Sequence, residues 1–196
     1  MSDLHQTLAA IVNIRSEIGN EGRLCTSLEQ RVLPTWNRDG VSRIGNSLIV
    51  GRRTGRPLMS IYGHIDTVPA QGQAEALVED GRLYGLGSSD MKAGVAVMLH
   101  LMEDEAVANG PYDVVSVFYD KEEGPFDENG LGPVLDHATW LADSVFAIVM
   151  EPTNNDLHLG CQGVVNAQLT FTGHAAHSSR PWLGENAVTK SGVFLS

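Results

Sequence analysis

Apolar residues fall at helical spacing over residues 3–16, where Leu4, Leu8, Ile11, Val12 and Ile14 share one side. Gly19-Asn20-Glu21-Gly22 breaks that pattern, and a second helix is expected over 21–33, ending before Pro34. Residues 41–44 and 47–50 read as short strands around the Gly45-Asn46 turn, a hairpin signal. The run Leu58, Met59, Ile61 predicts a buried strand that leads into Tyr62-Gly63-His64-Ile65-Asp66-Thr67-Val68-Pro69. Residues 71–80 are polar and irregular, whereas 91–108, rich in Ala, Val, Met and Leu, predict a mostly buried helix. Val114, Val115, Val117 and Phe118 have the continuous apolar character of a central parallel strand. A helix over 130–141 and an apolar strand over 145–150 complete the alternation.

Strand, helix, strand, helix, strand, with acidic groups at the strand ends, predicts an α/β fold: a mixed, mostly parallel sheet flanked by helices. In such sheets ligands gather beyond the carboxyl ends of the strands. After Gly160-Cys161-Gln162-Gly163 the texture changes. Val165, Ala167, Leu169 and Phe171 alternate with polar residues, as in a strand with one wet face, and Asn186 is placed to cap a last helix. A boundary near Gln162 is expected, with one domain over 1–162 and the start of a smaller α+β domain over 163–196.

Composition narrows the partners. The chain has 196 residues, 42% of them hydrophobic, enough for one domain with a core and a piece of another. Asp and Glu number 24 against 13 Lys and Arg, a net charge of -11, which disfavours nucleic acid and anionic membranes as partners. Cys25 and Cys161 form no C-x-x-C and are expected to be reduced, buried thiols. No apolar run approaches membrane-spanning length and no secretory signal opens the chain, so a cytoplasmic protein is expected.

The candidate chemistry lies at the strand ends. His64 and Asp66, two apart, point to one side of an extended chain and make half of a metal-binding corner; read alone, they equally suit a buried polar pair. Gly85-x-Gly87 before a helix suggests a phosphate cradle only weakly, since no Gly-Lys-Ser/Thr follows; the glycines better serve a sharp turn that aims Asp90 inward. Glu122-Glu123, adjacent at a bending strand end, suit one ligand and one free proton shuttle, or else a solvated acidic turn. With Glu151 and His177, these oxygen and imidazole donors without thiolates suit zinc, and less selectively cobalt or manganese. No Gly-x-Ser-x-Gly elbow supports a serine mechanism.

Five stretches in order then carry a resemblance: Gly63-His64-x-Asp66-Thr67-Val68-Pro69, Gly85-x-Gly87-x-x-Asp90-Met91-Lys92, Asp120-x-Glu122-Glu123, Glu151-Pro152-Thr153 and Gly173-x-x-Ala176-His177-Ser178. Together they resemble the dinuclear zinc amidohydrolases and peptidases of the M20 family. Within it, Asn129-Gly130-Leu131-Gly132 and Arg180-x-Trp182-Leu183-Gly184 look most like the actinobacterial-type succinyl-diaminopimelate desuccinylases. The resemblance implies a zinc-exopeptidase-like catalytic domain followed by a lid and dimerisation domain, two zinc ions, an N-acyl amino acid substrate and a homodimer. It implies that His64 and Glu151 hold one zinc, that Asp90 bridges, that Glu123 holds the second, and that Glu122 is the general base. Asp66 would orient His64, and His177 would reach a partner's site to stabilise the oxyanion. His174 is left as surface or lid structure.

In that family a further histidine of the second zinc comes from near the end of a chain about twice as long. Nothing here matches it, so one complete and one deficient metal site, with low or no activity, are expected of these 196 residues. Isothermal titration finding two equally tight zinc ions would contradict this. Two alternatives stay open: another deacylase or carboxypeptidase of the same family, and a non-catalytic metal-binding remnant.

Overall fold

The computed structural model describes residues 3–72, 75–160, 163, 165 and 167–195. They divide into two compact units, Met1–Asp156 and Leu157–Ser196. The boundary expected near Gln162 lies outside the described residues, as does Cys161.

The first unit is built on a five-stranded sheet in the order β1-β2-β6-β3-β7. The hairpin of β1 (Val41–Ile44) and β2 (Ser47–Val50) forms where the Gly-Asn turn requires it. β2 runs antiparallel to β6 (Asp113–Tyr119), and β6, β3 (Leu58–His64) and β7 (Phe146–Val149) are mutually parallel. The carboxyl ends of these three strands therefore open on the same side, at His64, Tyr119 and Val149.

One face of the sheet is covered by α1 (Asp3–Val12), α2 (Gly22–Trp36) and α3 (Lys92–Glu103). α3 alone buries Val95, Met98, Leu99 and Met102, each worth about 1.5–3 kcal/mol on removal from water. Gly63 admits this layer, because a Cβ there would stand 2.7 Å from Met91 Cε and 2.8 Å from Met98 Sδ. Cys25, on α2, is wholly enclosed, and burial pushes its thiol up to about 12. The opposite face packs Leu58, Tyr62, Val115 and Val117 against Val134 of α5 (Leu131–His137) and Leu141 of the 3-10 turn Thr139–Asp143.

Four local expectations need correction. α2 runs past Pro34 to Trp36, because Asn37 N–H still reaches Leu33 O at 2.8 Å and Trp36 Nε1 donates to Met102 O at 2.7 Å. The helix expected over 91–108 breaks at Asp104, whose side chain accepts from Ala106 N–H and starts the short α4 (Glu105–Ala108). The helix over 130–141 gives way to 3-10 geometry after α5. Residues 71–80 are not all irregular: β4 (Leu77–Glu79) pairs with β5 (Arg82–Tyr84) around Asp80-Gly81, both at positive φ.

The second unit contains the 3-10 turn Pro181–Leu183 and α6 (Ala187–Leu195), capped as expected by Asn186, which accepts from Val188 N–H at 2.8 Å. The strand expected around 165–171 is absent among the described residues, and Val165 is 90% exposed. Alternation alone does not make a strand; another must pair with it, and no described strand does. No described helix is long and apolar enough to cross a membrane.

Candidate metal centre

Three elements deliver the site. His64 is the last residue of β3, buried among apolar neighbours and met edge-on by Tyr119 at a ring-centroid distance of 6.3 Å. Asp90 ends the turn that precedes α3. Gly87 permits that turn, since it takes φ +75° and a Cβ there would meet Thr67 Cγ2 at 2.6 Å. Lys92 N–H closes the turn on Gly87 O at 2.9 Å, and the Asp90–Met91 peptide is cis. Glu151 follows β7, where Met150 N–H extends the ladder by donating to Tyr62 O at 2.9 Å.

The three side chains converge. His64 Nε2 lies 3.1 Å from Asp90 Oδ1 and 3.7 Å from Glu151 Oε1, and one donor atom from each residue falls within 4.8 Å of the others. His64 Nδ1 sits 3.1 Å from the carbonyl oxygen of Asp66, its natural hydrogen-bond acceptor. With the proton on Nδ1, Nε2 presents its lone pair between the two carboxylates, the tautomer a metal requires. A donor set of one imidazole and two carboxylates fits a divalent cation of the zinc type.

Electrostatics supports the same reading. Burial alone would lower the pKa of His64, but Asp66, Glu151 and Asp90 outweigh it and raise it to about 9. Burial raises Glu151 to about 7, with Asp90 and Glu122 adding repulsion and His64 opposing it. Glu123 is raised by burial first, then by Asp90, Glu122 and Asp66. These carboxylates lack enough positive charge among themselves, the condition that a bound cation relieves.

Glu122 and Glu123 follow Lys121, whose φ of 58° turns the chain just beyond β6. Their backbone N–H groups donate to Asp66 Oδ1 and Oδ2, each at 3.0 Å. Asp66 is fully buried; that burial favours its neutral form, but His64 and these amides hold its pKa below the usual carboxylate value. His177 lies in the second unit, exposed. Its Nδ1 lies 2.8 Å from Ser179 Oγ and 3.2 Å from the Ser179 amide nitrogen. His174 exchanges two backbone hydrogen bonds with Glu185, at 2.9 Å each.

Lys92 has a structural part that its place in a motif does not reveal. Its side chain is 1% exposed, and its ammonium donates to Ile14 O at 2.9 Å and Ile11 O at 3.2 Å, binding the end of α1 to the Asp90 turn. Burial lowers its pKa to about 8, with Glu17 opposing. A lysine opening an otherwise apolar buried helix was the available signal.

Comparison with known proteins adds a family, a relative and two solved structures. The family described as Peptidase family M20/M25/M40 matches residues 60–190. A succinyl-diaminopimelate desuccinylase of Corynebacterium glutamicum is 38% identical over 193 residues, covering 95% of this chain and 51% of the relative. The chain thus spans about half the length of the curated relatives it matches. Among solved structures, a tripeptidase from Staphylococcus aureus superposes with a TM-score of 0.62 at 21% identity, over 96% of this chain and 54% of that one. A Bacillus subtilis protein described as a dinuclear metal binding peptidase from the M20 family gives 0.54 at 16% identity, over 78% and 43%.

Proposed function

Since the chain belongs to peptidase family M20/M25/M40, a metal-dependent family, we propose that the protein containing it is a zinc-dependent amide hydrolase that releases succinate from N-succinyl-LL-2,6-diaminopimelate. The observation that carries the proposal is the convergence of His64, Asp90 and Glu151 within 4.8 Å at the carboxyl end of the sheet. The substrate follows the name of the Corynebacterium glutamicum relative.

His64 and Glu151 would hold one zinc and Glu123 the second, with Asp90 between them; a fold neighbour described as dinuclear supports the pair. Bound there, the cations polarise the amide carbonyl and acidify water. Glu122 takes a proton from the attacking water and returns it to the leaving amine nitrogen. Asp66 keeps the His64 proton on Nδ1 and so keeps Nε2 a ligand. His177, contributed by a second copy in a homodimer, donates through Nε2–H to the oxyanion; the Ser179 N–H contact at Nδ1 supports that tautomer.

The test is Glu122→Gln in the full-length protein. Zinc content is expected to stay and turnover to fall by about 10²–10⁴-fold, the range of general acid–base catalysis. Unchanged turnover removes Glu122 from the role. Rejection of the succinyl compound beside turnover of an acetyl or peptide substrate removes the substrate assignment while leaving the hydrolase.

A further inference from the structure

Asp66 touches more of the site than a partner for one histidine needs to. Its carboxylate is fully buried, and its two oxygens accept from two successive amides 56 and 57 residues away: Glu122 N–H at Oδ1 and Glu123 N–H at Oδ2, each 3.0 Å. Oδ1 also lies 3.4 Å from His64 Nδ1. Successive amides pointing at one anion form a nest, here opened by the left-handed Lys121. The nest is occupied by the chain's own carboxylate.

The consequence concerns direction. Neighbours on an extended chain point to opposite faces, so β6 continued straight would send only one of Glu122 and Glu123 toward His64. Bending the chain onto Asp66 fixes the backbone at both residues at once. We infer that Asp66 is a positioning residue for the Glu122–Glu123 turn as well as for His64, so that one buried carboxylate sets the orientation of the proton shuttle, of one ligand and of the imidazole together. The roles of Glu122 and Glu123 rest on the hydrolase reading above; the clamp on their amides does not.

A carboxylate is the group this geometry asks for. It offers two equivalent acceptors on one carbon, whereas the amide of asparagine offers one acceptor and one donor. Asp66→Asn therefore leaves one of the two amides facing an NH2 group. Asp66→Glu keeps both acceptors on a stem one methylene longer, in a site with no exposed side to receive it.

The experiment uses the isotope-labelled chain without substrate, so its outcome does not depend on whether the protein hydrolyses an amide. Couplings across the hydrogen bonds, from the amide nitrogens of Glu122 and Glu123 to the Asp66 side-chain carboxyl carbon, are expected in the unaltered chain. Absence of either overturns the clamp. The second measurement compares His64→Ala with His64→Ala/Asp66→Asn, where no imidazole is left to orient. Amide exchange at Glu122 or Glu123 should rise about tenfold or more in the double variant, the loss of one hydrogen bond to a charged group. Equal exchange in the two variants means that Asp66 serves the histidine alone, and the inference fails. Should the double variant not fold, the couplings in the unaltered chain decide.

Discussion

The two ends of the central sheet treat charge in opposite ways. At the amino end, where β3 and β6 begin, Asp113 is fully buried and its oxygens are matched. Thr54 N–H donates at 2.6 Å, the Thr54 hydroxyl at 2.7 Å and Arg56 Nε–H at 2.9 Å, while Arg56 also donates to Gly110 O and Ala108 O. Burial raises the Asp113 pKa, but Thr54 and Arg56 outweigh it and lower it. At the carboxyl end, Asp90, Glu122, Glu123 and Glu151 repel one another around one imidazole, and the ammonium of Lys92 is taken up by the carbonyls of Ile11 in α1 and Ile14 just beyond it. Matched charge at one end holds the fold together. Unmatched charge at the other end weakens it and is the condition a bound cation would relieve, which is how a candidate binding site differs from a structural ion pair.

The contrast can be broken most sharply at His64. His64→Ala is expected to weaken zinc binding on the order of a thousandfold, beyond the roughly 10–100-fold cost of losing a supporting partner, by titration calorimetry. A loss confined to stability would erase the distinction between the ends. Asp113→Ala should do the reverse: about 3 kcal/mol of stability lost in urea unfolding, because the Thr54 amide, the Thr54 hydroxyl and Arg56 Nε–H lose their acceptor at once, with zinc affinity of the folded chain unchanged.

Acidity should separate the ends as well. Asp113 has a lowered folded pKa, so its contribution is present above the unfolded value of about 3.9 and is lost as pH falls through the folded one. Glu151, raised to about 7, takes up a proton on folding, so stability falls as pH rises from the unfolded value of about 4.3 to there. His64, raised to about 9, contributes fully below its unfolded value of about 6.5 and loses that contribution as pH rises through 9. The metal-free chain should therefore be more stable near pH 5 than at pH 9. Added zinc should remove that slope, because deprotonated ligands bind it. Thermal melts across pH, with and without zinc, check both. The smallest effect is expected from Glu151→Gln: metal-free stability at pH 8 rises by no more than about 1 kcal/mol, since solvent screens a partly exposed side chain.

Much of the sheet was legible because local pattern decided it. Gly45-Asn46 between two apolar pairs, and the continuous apolar runs ending at His64 and Tyr119, needed no tertiary information. The meeting of His64, Asp90 and Glu151 was legible at one remove, since His64 ends a strand, Glu151 follows one, Asp90 precedes a helix, and parallel strands align their ends. What stayed hidden depends on contacts far apart in the chain. The extension of α2 past Pro34 is secured by Trp36 on Met102, and the amides of Glu122 and Glu123 find Asp66 across 56 and 57 residues. Among the described residues the alternation at Val165, Ala167, Leu169 and Phe171 forms no strand for the converse reason, because periodicity marks a willingness to pair and supplies no partner.

Cys25 gives the helical layer a chemical reporter. Its sulfur is sealed between α2 and the sheet and stays protonated well above neutrality, so an alkylating reagent has neither access nor a thiolate to attack. Modification at that position must wait for α2 to lift away, and at reagent concentrations where alkylation outpaces reclosing its rate, resolved by peptide mass from any labelling at Cys161, times that opening.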